Sequence, residues 1–204
     1  MTKNARQFPG GPFAAASCAI IGLAACGGGT VSDPPLTGTQ HLAFAYFQQC
    51  VNPIFQKQLQ ITLNGVTTTN TCAAGGCHDN TSGTGGAFRI IGAAQPVDLA
   101  NPANTPDLIR ALDMYKNFIS AQGETVIGSP AQSLLVRKPL LQNVLHGGGL
   151  VFASNLDPNV KLIEYWIGNP VPQGQDEFST TTYSTMFTPA FNPSSPNSST
   201  CNSF

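Results

Sequence analysis

The sequence predicts a mostly α-helical domain with long glycine-rich loops and an extended C-terminal tail. Three observations carry that expectation. Apolar residues recur near the 3.6-residue period in stretches 40–58, 105–119 and 157–167. Proline sits just inside the start of three of the predicted helices, at Pro106, Pro130 and Pro158. Strand-prone composition is confined to short pieces, chiefly residues 60–71.

Taken in order, the first helix covers residues 40–58, with Leu42, Ala45, Tyr46, Cys50 and Ile54 on one face. Pro53 marks a kink or a restart within it. Residues 60–71 read as a small hairpin about an Asn64-Gly65 turn. Residues 79–86 are a Gly/Ser/Thr loop, and Phe88-Arg89-Ile90-Ile91 reads as a short strand. Thr105-Pro106-Asp107 supplies a cap, a proline at the first position and an acid in the first turn. Leu108, Ile109, Leu112, Tyr115 and Ile119 then form one stripe, read as core. Ser129-Pro130 opens a short helix ending at Arg137, before Pro139. Asp157-Pro158 opens the last, with Val160, Ile163, Trp166 and Ile167 on adjoining faces and Gly168 at its stop.

Composition narrows the function. The 204 residues suit one domain plus tails. Charged residues are 9%, against roughly 25% in an ordinary domain. The surface therefore falls to Asn, Gln, Ser and Thr, which fits an exported protein. Net charge is −1 and the only adjacent basic pair is Arg137-Lys138, which argues against nucleic acid as a partner.

Residues 1–25 read as a targeting segment: Lys3 and Arg6, then an apolar run over residues 13–25. Leu23-Ala24-Ala25-Cys26 resembles the lipobox of bacterial lipoproteins. The resemblance implies that Cys26 becomes the lipid-bearing mature N-terminus and holds the protein on a membrane. Gly27 stands where an inner-membrane retention Asp would be, so the outer membrane is favoured. The alternative is an ordinary cleaved signal. Residues 26–39 read as a flexible tether, 40–170 as the domain, and 171–204 as a Pro/Ser/Thr-rich tail.

The strongest chemical signal is Cys72-Ala73-Ala74-Gly75-Gly76-Cys77-His78, a C-x4-C-H pattern. Its shorter relative C-x2-C-H attaches haem c. Two thiols add across the porphyrin vinyl groups, and the adjacent histidine is carried beneath the ring to the iron. A spacer of Ala and Gly lets the extra backbone loop out. The other readings are a Cys72–Cys77 disulfide with His78 incidental, and a zinc site of Cys72, Cys77, His78 and His146.

Three pieces in order now resemble the monohaem cytochrome c domains of bacterial envelope proteins. They are Val51-Asn52-Pro53-Ile54-Phe55 at the end of the first helix, the Cys72–His78 motif, and the run containing Ser133-Leu134-Leu135-Val136-Arg137-Lys138-Pro139, His146-Gly147-Gly148-Gly149 and Leu162-Ile163-Glu164-Tyr165-Trp166-Ile167-Gly168. Together they cover about residues 40–170. The resemblance implies a cytochrome c-like helical fold around one covalent haem. It implies Cys72 and Cys77 as attachment points and His78 as an axial ligand. The family's Met-Pro ligand loop is absent, and His146, followed by three glycines, stands in that place as the expected second ligand. Arg137 and Lys138 are candidates for the haem propionates, and Trp166 for packing against the ring or the first helix. With Cys72 and Cys77 committed to haem, Cys50 and Cys201 are the remaining thiols and are expected to pair, strapping the tail across the first helix.

The function so implied is a membrane-anchored electron carrier that exchanges electrons with an envelope redox partner. The alternatives are a non-redox surface lipoprotein with disulfides, and a haem enzyme of peroxidase type, which needs an open sixth position.

Overall fold

The computed structural model describes residues 40–180 and 184–204. Cys26 and the rest of the expected signal and tether lie outside the described residues. The first helix is built in three parts: α1 (Phe44–Tyr46), a π-helical turn (Phe47–Val51) and α2 (Asn52–Gln56), the last with proline near its start. The π-helical geometry absorbs the register change that Pro53 demands, because proline has no N–H to donate within the helix. Every side chain from Leu42 to Phe47 is fully buried, so this helix is the axis of the core.

A hairpin follows, β1 (Leu59–Leu63) paired antiparallel with β2 (Val66–Asn70). Asn64 and Gly65 both take positive φ, 51° and 79°, as a tight two-residue turn requires. β1 is also bridged to the distant loop at Leu150.

Helix α3 (Pro106–Ala111) starts where Thr105 accepts a hydrogen bond from the Leu108 amide. It breaks at Leu112, whose backbone is extended, and α4 (Asp113–Gln122) resumes. The break rotates the buried face. Leu108, Leu112 and Ile119 are 57%, 42% and 45% exposed, while Met114, Asn117, Phe118 and Ala121 are buried. The single stripe expected across 105–119 is therefore corrected: the periodicity assumed one continuous helix.

Residues 129–137 are likewise not one helix. A 3-10 turn (Pro130–Gln132) gives way at extended Ser133 to α5 (Leu134–Arg137). The Ser133 hydroxyl accepts from the Val126 amide and donates to the Ser129 carbonyl, competing with helical continuation. α6 (Pro158–Gly168) is capped by Asp157, whose carboxylate accepts from the Asn159 amide at 2.8 Å. Residues 88–91 make only an isolated bridge, Asp79 to Ile90, rather than a strand.

The aromatic core joins the first helix to α4 and α6. Phe47 lies 5.3 Å from Trp166 and 5.5 Å from Phe118, and Phe44 meets Phe118 edge-on at 5.5 Å. Such pairs add about 0.5–1.5 kcal/mol each beyond the area they bury. The tail is part of this core: Val171, Glu177, Met186, Phe187 and Phe191 are buried. A short ladder, β3 (Phe187–Thr188) with β4 (Thr200–Cys201), places Cys201 in a disulfide with Cys50, 151 residues away. Among the described residues no helix is long and apolar enough to cross a membrane.

Candidate functional site

A cavity of about 390 Å³ opens beside the Cys72–His78 loop. Ile54 and Phe55 at the end of the first helix, Leu134 and Leu135 of α5, and Ile163 of α6 give it an apolar wall. Cys72, Cys77, His78 and His146 all line it. Such a volume lies within the range of small-molecule and cofactor sites, roughly 300–1,000 Å³.

The cysteine loop is a chain of tight turns. The Phe55 carbonyl takes the Ala73 amide, the Ala74 carbonyl takes the Cys77 amide, and the Cys72 carbonyl takes the His78 amide. This closes the four-residue spacer on itself, and both cysteines line the cavity. Both thiols are free. Burial, reinforced by nearby Cys77 and partly offset by a backbone hydrogen bond, pushes the Cys72 thiol up to about 12.

The His78 imidazole is oriented by its Nδ1, 3.1 Å from the Phe88 carbonyl oxygen. A carbonyl only accepts, so Nδ1 carries the hydrogen and the neutral ring presents the Nε2 lone pair. Burial, the strongest influence, with further pressure from His146, Arg89 and Lys138, holds the ring below the usual histidine value; the Phe88 bond opposes this. The ring meets Phe88, centroids 4.7 Å apart. It also lies close to Gly85, where an added Cβ would stand 2.5 Å from the ring.

His146 is held by a different device. Its Nδ1 is 2.7 Å from the Gly149 carbonyl oxygen, and the Gly149 amide donates back to the His146 carbonyl. Gly149 has φ +85°, and a Cβ there would stand 2.4 Å from the Thr62 carbonyl oxygen. Leu150 and Thr62 exchange both backbone hydrogen bonds, at 2.8 and 2.9 Å, so the hairpin fixes this loop.

The two imidazoles are nearly parallel, 9° apart, with centroids separated by 6.1 Å. Metal–imidazole bonds of about 2 Å on opposite sides of one ion put ring centroids about 6 Å apart. The centroid separation agrees with that of a two-imidazole clamp. Among the described residues no three His, Cys, Asp or Glu side chains group as a metal cage. Haem iron does not need one, since the porphyrin supplies four nitrogens and the protein two axial ligands. Two free thiols, two tethered imidazoles and an apolar cavity fit that group.

The other sequence candidates separate. Lys138 lines the cavity, but its ammonium lies 3.6 Å from the Glu124 carboxylate on the same wall. Arg137 does not line it; its Nε donates to the Gln142 carbonyl at 3.3 Å. The adjacent pair diverges because neighbouring helical residues do not share a face. Trp166 is also away from the cavity wall. It packs on the first helix and donates its indole N–H to the Ala43 carbonyl at 3.1 Å. The carbonyls of Phe88 and Gly149, the Thr62–Leu150 bridge and Glu124 were not foreseen. Only Gly149 left a trace in the sequence, as the last of a glycine run.

Comparison with protein-family models, curated proteins and solved structures found no match.

Proposed function

We propose that the protein is a monohaem c-type cytochrome that carries electrons in a bacterial cell envelope, held to a membrane by lipid on Cys26. The observation that carries this is the pair of parallel imidazoles, His78 and His146, 6.1 Å apart on the cavity that Cys72 and Cys77 also line. When bound, the haem supplies a one-electron iron couple.

The chain's own residues do the rest. Cys72 and Cys77 would hold the group covalently, each through a thioether made by addition of its S–H across one vinyl double bond. His78 and His146 would hold the iron through their Nε2 atoms, each ring oriented by its Nδ1 contact with a backbone carbonyl. The apolar wall excludes water. Among the described residues, Lys138, shared with Glu124, is the lysine or arginine that lines the cavity, and it would meet a propionate. Ligation by both imidazoles would favour a carrier over a peroxidase-type enzyme, which needs a free coordination position. It would also give a lower potential than histidine with methionine.

The test is expression of the full chain in a bacterium with haem-attachment machinery. Intact mass and reduced-minus-oxidised spectra then report haem and acylation together. One haem on wild type, lost from a Cys72→Ser/Cys77→Ser variant, is the expected result. A colourless protein with a Cys72–Cys77 disulfide would overturn the reading in favour of a non-redox lipoprotein.

A further inference from the structure

Resting on the haem reading above, we propose that Asn117, together with Ser120, is a positioning residue for the His78 ligand. Helix α4 holds residues 88–91, and that segment holds the imidazole.

Asn117 is 1% exposed, and its amide is engaged on both sides. Its Oδ1 accepts from the Ile91 amide at 2.7 Å. Its Nδ2 donates to the Ile91 carbonyl and to the Asn52 side chain, each at 3.1 Å. One turn along α4, the Ser120 hydroxyl accepts from the Arg89 amide at 2.7 Å. Residues three apart share a helix face, so both side chains meet one stretch of extended backbone. That stretch is gripped from its other side: the Ile90 amide donates to the His78 carbonyl at 2.7 Å, and the Asn80 amide donates to the Ile90 carbonyl at 2.9 Å. The Phe88 carbonyl, in the same peptide unit as the Arg89 amide that Ser120 holds, is the acceptor for His78 Nδ1.

The ring itself is closely packed, with Phe88 4.7 Å away and no room for a Cβ at Gly85. The quality of the Nδ1 hydrogen bond is therefore set by where the Phe88 carbonyl stands, and α4 sets that. A hydrogen bond donated by the far ring nitrogen makes the ligating nitrogen more basic. A more basic ligand favours the oxidised, more positive iron. Loosening the anchor weakens the bond, and the reduction potential rises.

The experiment is a mediated potentiometric titration, with dithionite as reductant and ferricyanide as oxidant, on full-length haem-bearing variants. Asn117→Ala is expected to move the reduction equilibrium about tenfold toward the reduced form, which is about 59 mV for one electron. Ser120→Ala moves it in the same direction, and serves if Asn117→Ala fails to fold. Glu177→Gln is the control, since it removes the charge from the acceptor of Tyr115 on the same helix without touching residues 88–91. Its potential stays at the wild-type value. Unchanged potentials in haem-bearing Asn117→Ala and Ser120→Ala overturn the assignment, as does an equal shift in Glu177→Gln, which signals general loosening. Wild type without haem removes this inference and the functional reading together. Unshifted variants that carry haem remove this inference alone.

Discussion

Under the proposed haem reading, His146 is the residue that decides the coordination state. Its Nδ1 is satisfied within its own loop, so substitution removes an imidazole without orphaning a buried partner on another element. His146→Ala is expected to leave the haem attached through Cys72 and Cys77 and to convert a six-coordinate, low-spin spectrum to a five-coordinate, high-spin one. A spectrum identical to wild type refutes the axial assignment. Gly149→Ala tests the same ligand indirectly. Its Cβ would collide with the Thr62 carbonyl, and its φ of +85° is strained for alanine. The expected cost is about 1–3 kcal/mol of stability, measured by urea unfolding, with partial loss of the low-spin signal. The residues bearing sulfur and imidazole were legible because their chemistry is local: a cysteine beside a histidine, a histidine before three glycines. Their orienting partners are backbone carbonyls, which every residue has, so no residue type could announce Phe88 or Gly149.

At the scale of elements, the sequence was most informative where a helix begins. Thr105-Pro106 and Asp157-Pro158 start helices because a side-chain oxygen and a missing N–H both relieve the unpaired first turn. Asp157→Ala should cost about 1 kcal/mol, read as a lowered urea midpoint with unchanged slope; no change would show that the cap contributes nothing. Periodicity failed where a break intervened. Leu112 turns extended between α3 and α4, so counting through it merged two faces that point differently. Ser133 does the same before α5, where its hydroxyl serves the preceding turn. Neither break needs glycine or proline at the breaking residue, which is why the pattern gave no warning. Asn117 escaped notice for a related reason. A polar residue on a helix reads as solvent-facing until its backbone partners are known.

The whole molecule depends on the tail, whose composition reads as unstructured but whose scattered apolar side chains find the first helix. Two fasteners hold it. One is the Cys50–Cys201 bridge, and Cys201→Ser is expected to lower unfolding free energy by about 2–5 kcal/mol. The other is Glu177, 2% exposed, which accepts from Tyr115 Oη at 2.7 Å and Arg110 Nε at 3.0 Å, with His41 at 3.8 Å. Its backbone carbonyl also takes the Phe44 amide at the head of the core helix. Burial alone pushes this carboxyl up. The hydrogen bonds from Tyr115, its own backbone amide and Arg110 outweigh burial, and it lies below the ordinary value of 4.5. Burial and the same carboxylate hold the Tyr115 hydroxyl up at about 12. A lowered folded value means that Glu177 contributes fully above pH 4.5, and that the contribution is lost as pH falls through the folded value. Glu177→Gln therefore should cost about 1–3 kcal/mol at neutral pH, toward the lower end because Arg110 is 40% exposed. The wild-type and variant stability curves should converge as the pH is lowered beneath 4.5. Chemical denaturation across that range measures the gap, and a difference that stays constant into strong acid would show that the carboxylate charge does not hold the tail.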